Sequence, residues 1–359
     1  MSGPSGLSGL AGQMTGVELA WWAQTSLRSI GVIVAVLIPA GTLVYVFLFK
    51  MMSFMQSRLG PMEAGPWGSL QLLAEVGKFI QKEDIIPWRA DKKLFALAPY
   101  VVIATVFLIY LVVPFGPDAY FVDFDTGIFW VLAVSSISVI GILIAGWASA
   151  NKYSLLGGLR AAGQLIAYEL PMVLAVVGVV IQAGTLNMKG IVEAQHEGTM
   201  WLPFVGDWGG LGNPFIITQC IGFLIFLIAM QAELTQTPFD MPVAESELVS
   251  GYMTEYSGLR FLLFFIGEFA SAGAFAAVAA TLFLGGWSLP GLDMNADYMN
   301  VVGPIVVLAK MMIVAFLVFW VRFTYPRFRE DQLQQLAWKI LIPLSLVNIL
   351  ATMALKVAF

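Results

Sequence analysis

The sequence predicts an all-α polytopic membrane protein with about eight transmembrane helices and one amphipathic helix on the cytoplasmic side. Three observations carry that expectation. The 359 residues are 59% hydrophobic and only 11% charged, against about 25% charge in ordinary soluble domains. Mean hydropathy is +0.84. Eight separate apolar stretches come close to the roughly 20 residues that a helix needs to cross a bilayer.

In chain order, residues 1–28 open with MSGPSGLSGLAGQMTG, which is rich in Gly and Ser and lacks the basic run of a signal peptide. They read as a flexible tail, with the first span acting as an uncleaved insertion signal. Residues 29–359 read as a single eight-helix membrane domain. Its spans fall near 29–49, 95–115, 127–149, 164–183, 214–232, 259–284, 303–321 and 335–356. No internal repeat of the inverted-repeat transporter kind is visible. After the first span, GSLQLLAEVGKFIQKED spaces Leu72, Leu73, Val76, Phe79 and Ile80 at helical intervals. Gln71, Glu75, Lys78 and Lys82 fall elsewhere on that helix. An amphipathic helix of this kind lies on the membrane surface, or packs on a partner or on the protein's own loops.

Lys and Arg set the orientation, because cytoplasmic loops collect them. The first link carries Lys50, Arg58, Lys78, Lys82, Arg89, Lys92 and Lys93. The third carries Lys152 and Arg160, and the seventh carries Arg322, Arg327 and Arg329. The opposite side has little beyond Arg28, Lys189 and Lys356. The links near 50–94, 150–164, 232–258 and 322–334 are therefore expected in the cytoplasm, with both termini outside a bacterial plasma (inner) membrane.

The net charge of −5 argues against nucleic acid as a partner. A single Cys, Cys220, and a single His, His196, form no internal disulfide and no cluster site. Both read as structurally ordinary, so any electron chemistry must enter from a partner.

One stretch breaks its surroundings. ELTQTPFDMPVAESELVSGYMTEYSG, residues 233–258, holds Glu233, Asp240, Glu245, Glu247 and Glu255 and no base. Part of this suits a capped surface helix, with Asp240 as N-cap, Pro242 early in the helix, and Glu245 and Glu247 near its N-terminus. Glu169, Glu268 and Lys310 lie inside apolar spans, where each charge costs about 2.5–3.5 kcal/mol to insert. A carboxylate there takes up a proton, pairs with a cation or lines water. Acids this close together titrate as a set. Either a hydrogen-bonded structural acid or a proton relay fits.

Long motifs narrow the choice. MQSRLGP at 55–61, GSLQLLAE at 68–75, KEDIIP at 82–87, NKYSLLGGLRAAGQLIAYE at 151–169, TPFDMPVAESELVSGYMTEYSG at 237–258 and FLGGW at 283–287 run in order to YPRFREDQL and WKILIPL. From about residue 50 to the C-terminus the chain resembles the H-subunit family of proton-pumping NADH–quinone oxidoreductase, respiratory complex I. The resemblance implies a membrane subunit docked under a redox arm, with loops that help build a quinone-binding chamber. Its buried acids would begin the coupling to proton translocation in antiporter-like subunits. It implies bound quinone but no catalytic residue, metal or flavin in this chain, with FMN and iron–sulfur clusters in partner subunits. Carried over by position, Glu169, Glu233, Asp240, Glu245, Glu247, Glu255, Glu268 and Lys310 are the implied proton-coupling residues. Gln56, Arg58, Glu75, Arg160, Phe239, Arg322 and Arg327 are the implied chamber residues. Met51, Met52, Phe54 and Met55 suit either a quinone tail or lipid contact. Ferredoxin-, F420H2- and hydrogenase-driven relatives use the same membrane module, and a free-standing ion transporter would also have eight spans and buried charge.

The chain departs from the family pattern where charge is expected. Leu48 and Phe49 stand where the family has Glu-Arg, Gln236 where it has Arg, and Val243 where it has Glu. Met62 replaces an Asn, and Glu75 replaces an Asp with its charge kept. Loss of Arg at 49 and 236 removes two possible counter-ions from the acids.

Overall fold

The computed structural model describes residues 21–197, 214–289, 294, 296 and 298–358. Most of the expected tail, residues 1–20, lies outside these. Seven described helices are long and apolar enough to cross a membrane. They are α1 (Ser29–Met55), α3 (Lys92–Tyr110), α4 (Gly127–Ala148), α5 (Lys152–Ala183), α8 (Gly258–Phe283), α9 (Met299–Thr324) and α10 (Glu330–Val357). Between them lie the amphipathic α2 (Gln71–Gln81), the short α6 (Met188–Glu197) and the apolar α7 (Cys220–Glu233). The molecule is an all-helical polytopic membrane protein.

Three boundaries differ from the sequence expectation. The helix that becomes α1 already begins at Trp21, so residues 21–28 are helical rather than a loose tail. Residues 152–164, expected in a link, form the first turns of α5, because Asn151 caps it by accepting the Tyr153 N–H at 2.9 Å. The fifth expected span is divided at Gln219, leaving a four-residue turn, Phe215–Thr218, and the 14-residue α7. Gln219 is drawn out of helical geometry to serve α10. Its amide donates to Thr352 Oγ1 at 2.7 Å, and its carbonyl accepts from Asn348 Nδ2 at 2.8 Å.

Helix α8 is the centre of the bundle. Its sequence GEFASAGAFAAVAATLF is dominated by small residues, which let neighbouring backbones approach closely in the absence of a hydrophobic drive between helices. It packs against α1, α3 and α9. Helix α5 is the second hub, packing against α4, α7 and α10. Phe269, Phe319 and Phe47 stack between α8, α9 and α1, with ring centroids 5.8 and 5.2 Å apart.

Helix α2 buries part of its apolar row on the protein itself and leaves the rest open. Phe79 stacks on Phe261 at 5.6 Å, and Leu72 packs against the main core. Leu73 and Ile80, on an adjoining row, stay 68% and 63% exposed.

Candidate functional site

The acidic stretch has no base of its own, and the fold brings three to it from other elements. Arg160 on α5 donates to Glu247 at 2.6 Å and lies 3.8 Å from Glu330 of α10. Arg327, between α9 and α10, donates to Asp240 at 2.8 Å and to Ser246 Oγ at 3.0 Å. Arg322, in the last turn of α9, lies 3.7 Å from Glu268 of α8. Around this end opens a cleft of about 740 Å³, lined by Thr237, Glu245, Ser246, Glu247, Arg327 and Phe328 among others.

Gln236 connects the cleft to the bundle. Its carbonyl accepts from Arg322 Nη1, and its amide donates to Glu268 Oε1. The Arg missing at this position is thus replaced by a neutral bridge between a cation and an acid supplied by two helices. Phe49 and Leu48 take the opposite course and pack into or against the apolar core. Val243 packs beside the second core cluster.

The acidic stretch is laid directly on α5. Gln164 is buried and donates to the carbonyls of Ala232 and Phe239, at 2.7 Å each. An unmade buried hydrogen bond costs about 1–3 kcal/mol, so this one side chain fixes both the end of α7 and the start of the loop. Gly157 lets the backbones touch, since a Cβ there would lie 2.7 Å from Tyr252 N and 2.8 Å from Pro242 O. Gly251 has φ +54°, and a Cβ would meet Pro242 O at 1.7 Å.

The loop contains no extended capped helix. Its one α-helical turn is Glu245–Leu248, which starts after Ala244, not Asp240, and a 3-10 turn follows at Gly251–Met253. Asp240 is not an N-cap, because its carboxylate is taken by Arg327. Burial nevertheless raises the Asp240 pKa above the usual carboxylate range, an effect that the Arg327 guanidinium only partly opposes. The native state therefore holds this proton more tightly than the unfolded chain. The cost of ionising it appears as pH rises through the native pKa. An infrared titration of the full chain should show a protonated-carboxyl band persisting above the unperturbed Asp value of about 3.9. That band should be missing in Asp240→Asn, and a titration identical in both proteins would refute the shift.

Of the other acids, Glu169 on α5 accepts from Ser136 of α4. Glu233 ends α7 with its Oε2 buried and without a hydrogen-bond partner. Two expected members lie elsewhere. Glu255 accepts from Asn151 Nδ2 at the start of α5. Lys310 donates to the carbonyls of Leu284 and Ser288, at 2.7 and 2.6 Å, beyond the far end of α8. That places its ammonium about 24 Å along the helix from Glu268, at 1.5 Å per residue.

The expected chamber residues also separate. Phe239 is buried between the rings of Tyr168 and Phe328, at 5.2 and 5.5 Å, and it is Phe328 that reaches the cleft. Arg58 donates to Gln56 at 2.8 Å on an exposed turn after α1, and Glu75 accepts from Gln71 on α2. Phe54 and Met55 are exposed there, while Met51 packs against the core.

Sequence reasoning missed Tyr252, Gln164, Ser136, Ser246 and Glu330. Tyr252 is buried, and burial, with Glu268 and Asp240 adding to it, holds its phenol neutral. None of these five stands out in composition or spacing. Gln164, Ser246, Tyr252 and Glu330 sit in long motifs already singled out, whereas Ser136 sits in none.

Comparison with known proteins agrees with this architecture. A family model described as NADH dehydrogenase matches residues 27–353. The H-subunit of the NADH-quinone oxidoreductase of Brevibacillus brevis is 44% identical over 333 residues, 92% of this chain and 94% of that protein. Those of Anoxybacillus flavithermus and Bacillus mycoides are 45% and 46% identical, each covering 86% of this chain and 87% of the relative. With most of its length matched at this identity, and with apolar helices long enough to span a bilayer, the chain belongs to the H-subunit family of NADH–quinone oxidoreductase, as a membrane subunit of complex I.

Proposed function

We propose that the acidic end of this chain forms one wall of a quinone-binding chamber and passes the charge change of quinone reduction into the membrane. One observation carries the reading. Arg160 and Arg327 pair with Glu247 and Asp240 of the 233–258 stretch beside an open cleft, and Gln236 of the same stretch bridges Arg322 to Glu268 inside a span.

Reduction of a quinone to a quinol takes up two electrons and two protons. The electrons come from flavin and iron–sulfur partners in the redox arm. In this chain the work is electrostatic. An anionic quinone species at the cleft attracts Arg327 and Arg160 and repels Glu245 and Glu247, so the ion pairs rearrange. Asp240, freed from Arg327, and Arg322 then change their pull on Glu268. Glu233 and Glu169 extend the acid series along α7 and α5 toward the antiporter-like subunits. Lys310, at the other end of α8, joins such a series only through groups that span about 24 Å. The positive-inside pattern puts the cleft on the cytoplasmic side, with both termini outside a bacterial plasma membrane.

A photoreactive quinone, activated on the purified complex and mapped by mass spectrometry, tests the reading. Labels are expected within residues 237–247 or 327–329 of this chain, and excess unmodified quinone should compete them away. Labelling confined to other subunits would remove this chain from the chamber wall.

A further inference from the structure

A second site lies on the reverse face of α5. Where α3, α4 and α5 meet, a groove of about 300 Å³ is walled by Leu94, Leu143, Ile144, Trp147, Leu155 and Leu159. Every wall side chain is apolar. Beside it, around the corner between α4 and α5, a polar basin of about 540 Å³ is lined by Trp88, Arg89, Asn151, Lys152, Tyr153 and Glu255. Trp147 and Leu155 of the groove flank the Ser149–Tyr153 corner of the basin, so the two are continuous along the chain.

The charges of the basin are unbalanced. Arg89, Lys92, Lys93 and Lys152 form no ion pair among the described residues. The two neighbouring acids, Asp91 and Glu255, bond neutral donors and keep their charge, so four cations face two acids at this corner. Asp91 caps α3 by accepting the N–H groups of Lys93 and Leu94, and Glu255 accepts from Asn151. Three aromatic rings surround the corner in the open, with Trp88 94%, Trp147 72% and Tyr153 51% exposed. Exposed Trp and Tyr at the ends of spanning helices mark the headgroup level of a bilayer.

We infer that this corner binds one anionic phospholipid, its phosphate between Arg89 and Lys152 and the upper part of an acyl chain in the leucine-lined groove. Free cations beside a purely apolar slot, at the depth where Trp and Tyr collect, match the head and tail of such a lipid. A neutral isoprenoid tail would use the slot and leave the cations without a partner. The site is separate from the acidic cleft. Lys152, Leu155 and Leu159 share one face of α5, while Gly157, Arg160 and Gln164 share the face that holds the acids. A bound lipid thus braces the same turns that carry Arg160.

The test uses the complex purified in mild detergent with the full chain and a phosphatidylglycerol carrying a photoreactive acyl chain. Cross-links are expected at Leu143, Ile144, Leu155 or Leu159, competed by phosphatidylglycerol and not by phosphatidylcholine. The double variant Arg89→Gln, Lys152→Gln should lower labelling about 30-fold, from about 1 kcal/mol for each of the two cations. Leu159→Trp, which fills the groove, should abolish it. Equal competition by phosphatidylcholine, labelling indifferent to the double variant, or competition by a short-chain quinone instead would each overturn the assignment. So would cross-linking of the groove to another subunit with no lipid label.

Discussion

Membranes carrying Glu268→Gln are expected to lose most of their coupled proton translocation while still assembling the complex. Glu268 sits on the central helix with a side chain only 21% exposed, held by Gln236 and facing Arg322 at 3.7 Å. Gln has nearly the same shape and still offers an oxygen to the Gln236 amide, so packing is kept and the charge alone is removed. A hydrogen bond to a charged group contributes about 1.5–3 kcal/mol, which corresponds to about tenfold or more in a rate or population that depends on it. The measurement is proton uptake per quinone reduced in sealed vesicles, with the amount of assembled complex determined in parallel. Unchanged pumping and unchanged quinone turnover would exclude Glu268 from the coupling series. Reduced pumping with undiminished turnover would place it after the chemistry rather than at it.

A larger structural effect is expected from a single added methyl group. In Gly157→Ala the new Cβ meets three backbone atoms of the acidic loop, Tyr252 N at 2.7 Å, Gly251 Cα at 2.8 Å and Pro242 O at 2.8 Å. Backbone cannot swing aside as a flexible side chain does, so the loop must lift from α5. Overpacking of this kind costs about 1–3 kcal/mol. A shift of about 1–2 kcal/mol changes a two-state population by about 5- to 30-fold. Quinone turnover per assembled complex should fall about fivefold or more, and the loop should become accessible to protease. Gly163→Ala on the same helix is the control, because its Cβ meets only Gln334 Nε2 at 4.0 Å. Equal behaviour of the two variants would show that close seating of the loop on Gly157 is not required.

The sequence by itself determined the membrane class, the approximate places of seven of the eight expected spans and the existence of an acidic insert. Each of these follows from local composition: a bilayer demands about 20 apolar residues per crossing, and a stretch of acids without a base is visible wherever it occurs. The family was legible for a similar reason, since long ordered motifs survive without any knowledge of contacts. The tertiary structure decided how the charges are balanced. The loop's counter-ions are Arg160 and Arg327, and Arg322 bonds its Gln236, each more than 80 residues from its partner in the stretch, and no periodicity encodes a contact at that distance. Gln236 reads in sequence as a lost counter-ion, whereas in the fold it joins Arg322 to Glu268. Glu255 and Lys310 read as members of one acid–base group, and helix direction carries them to other places. Gln219 lies in an apolar run, and the helix is interrupted where its side chain bonds Asn348 and Thr352. Hydropathy along a chain is a sum of local terms, while electrostatic pairing depends on which helices become neighbours, and that is settled only when small residues such as Gly157 allow two backbones to touch.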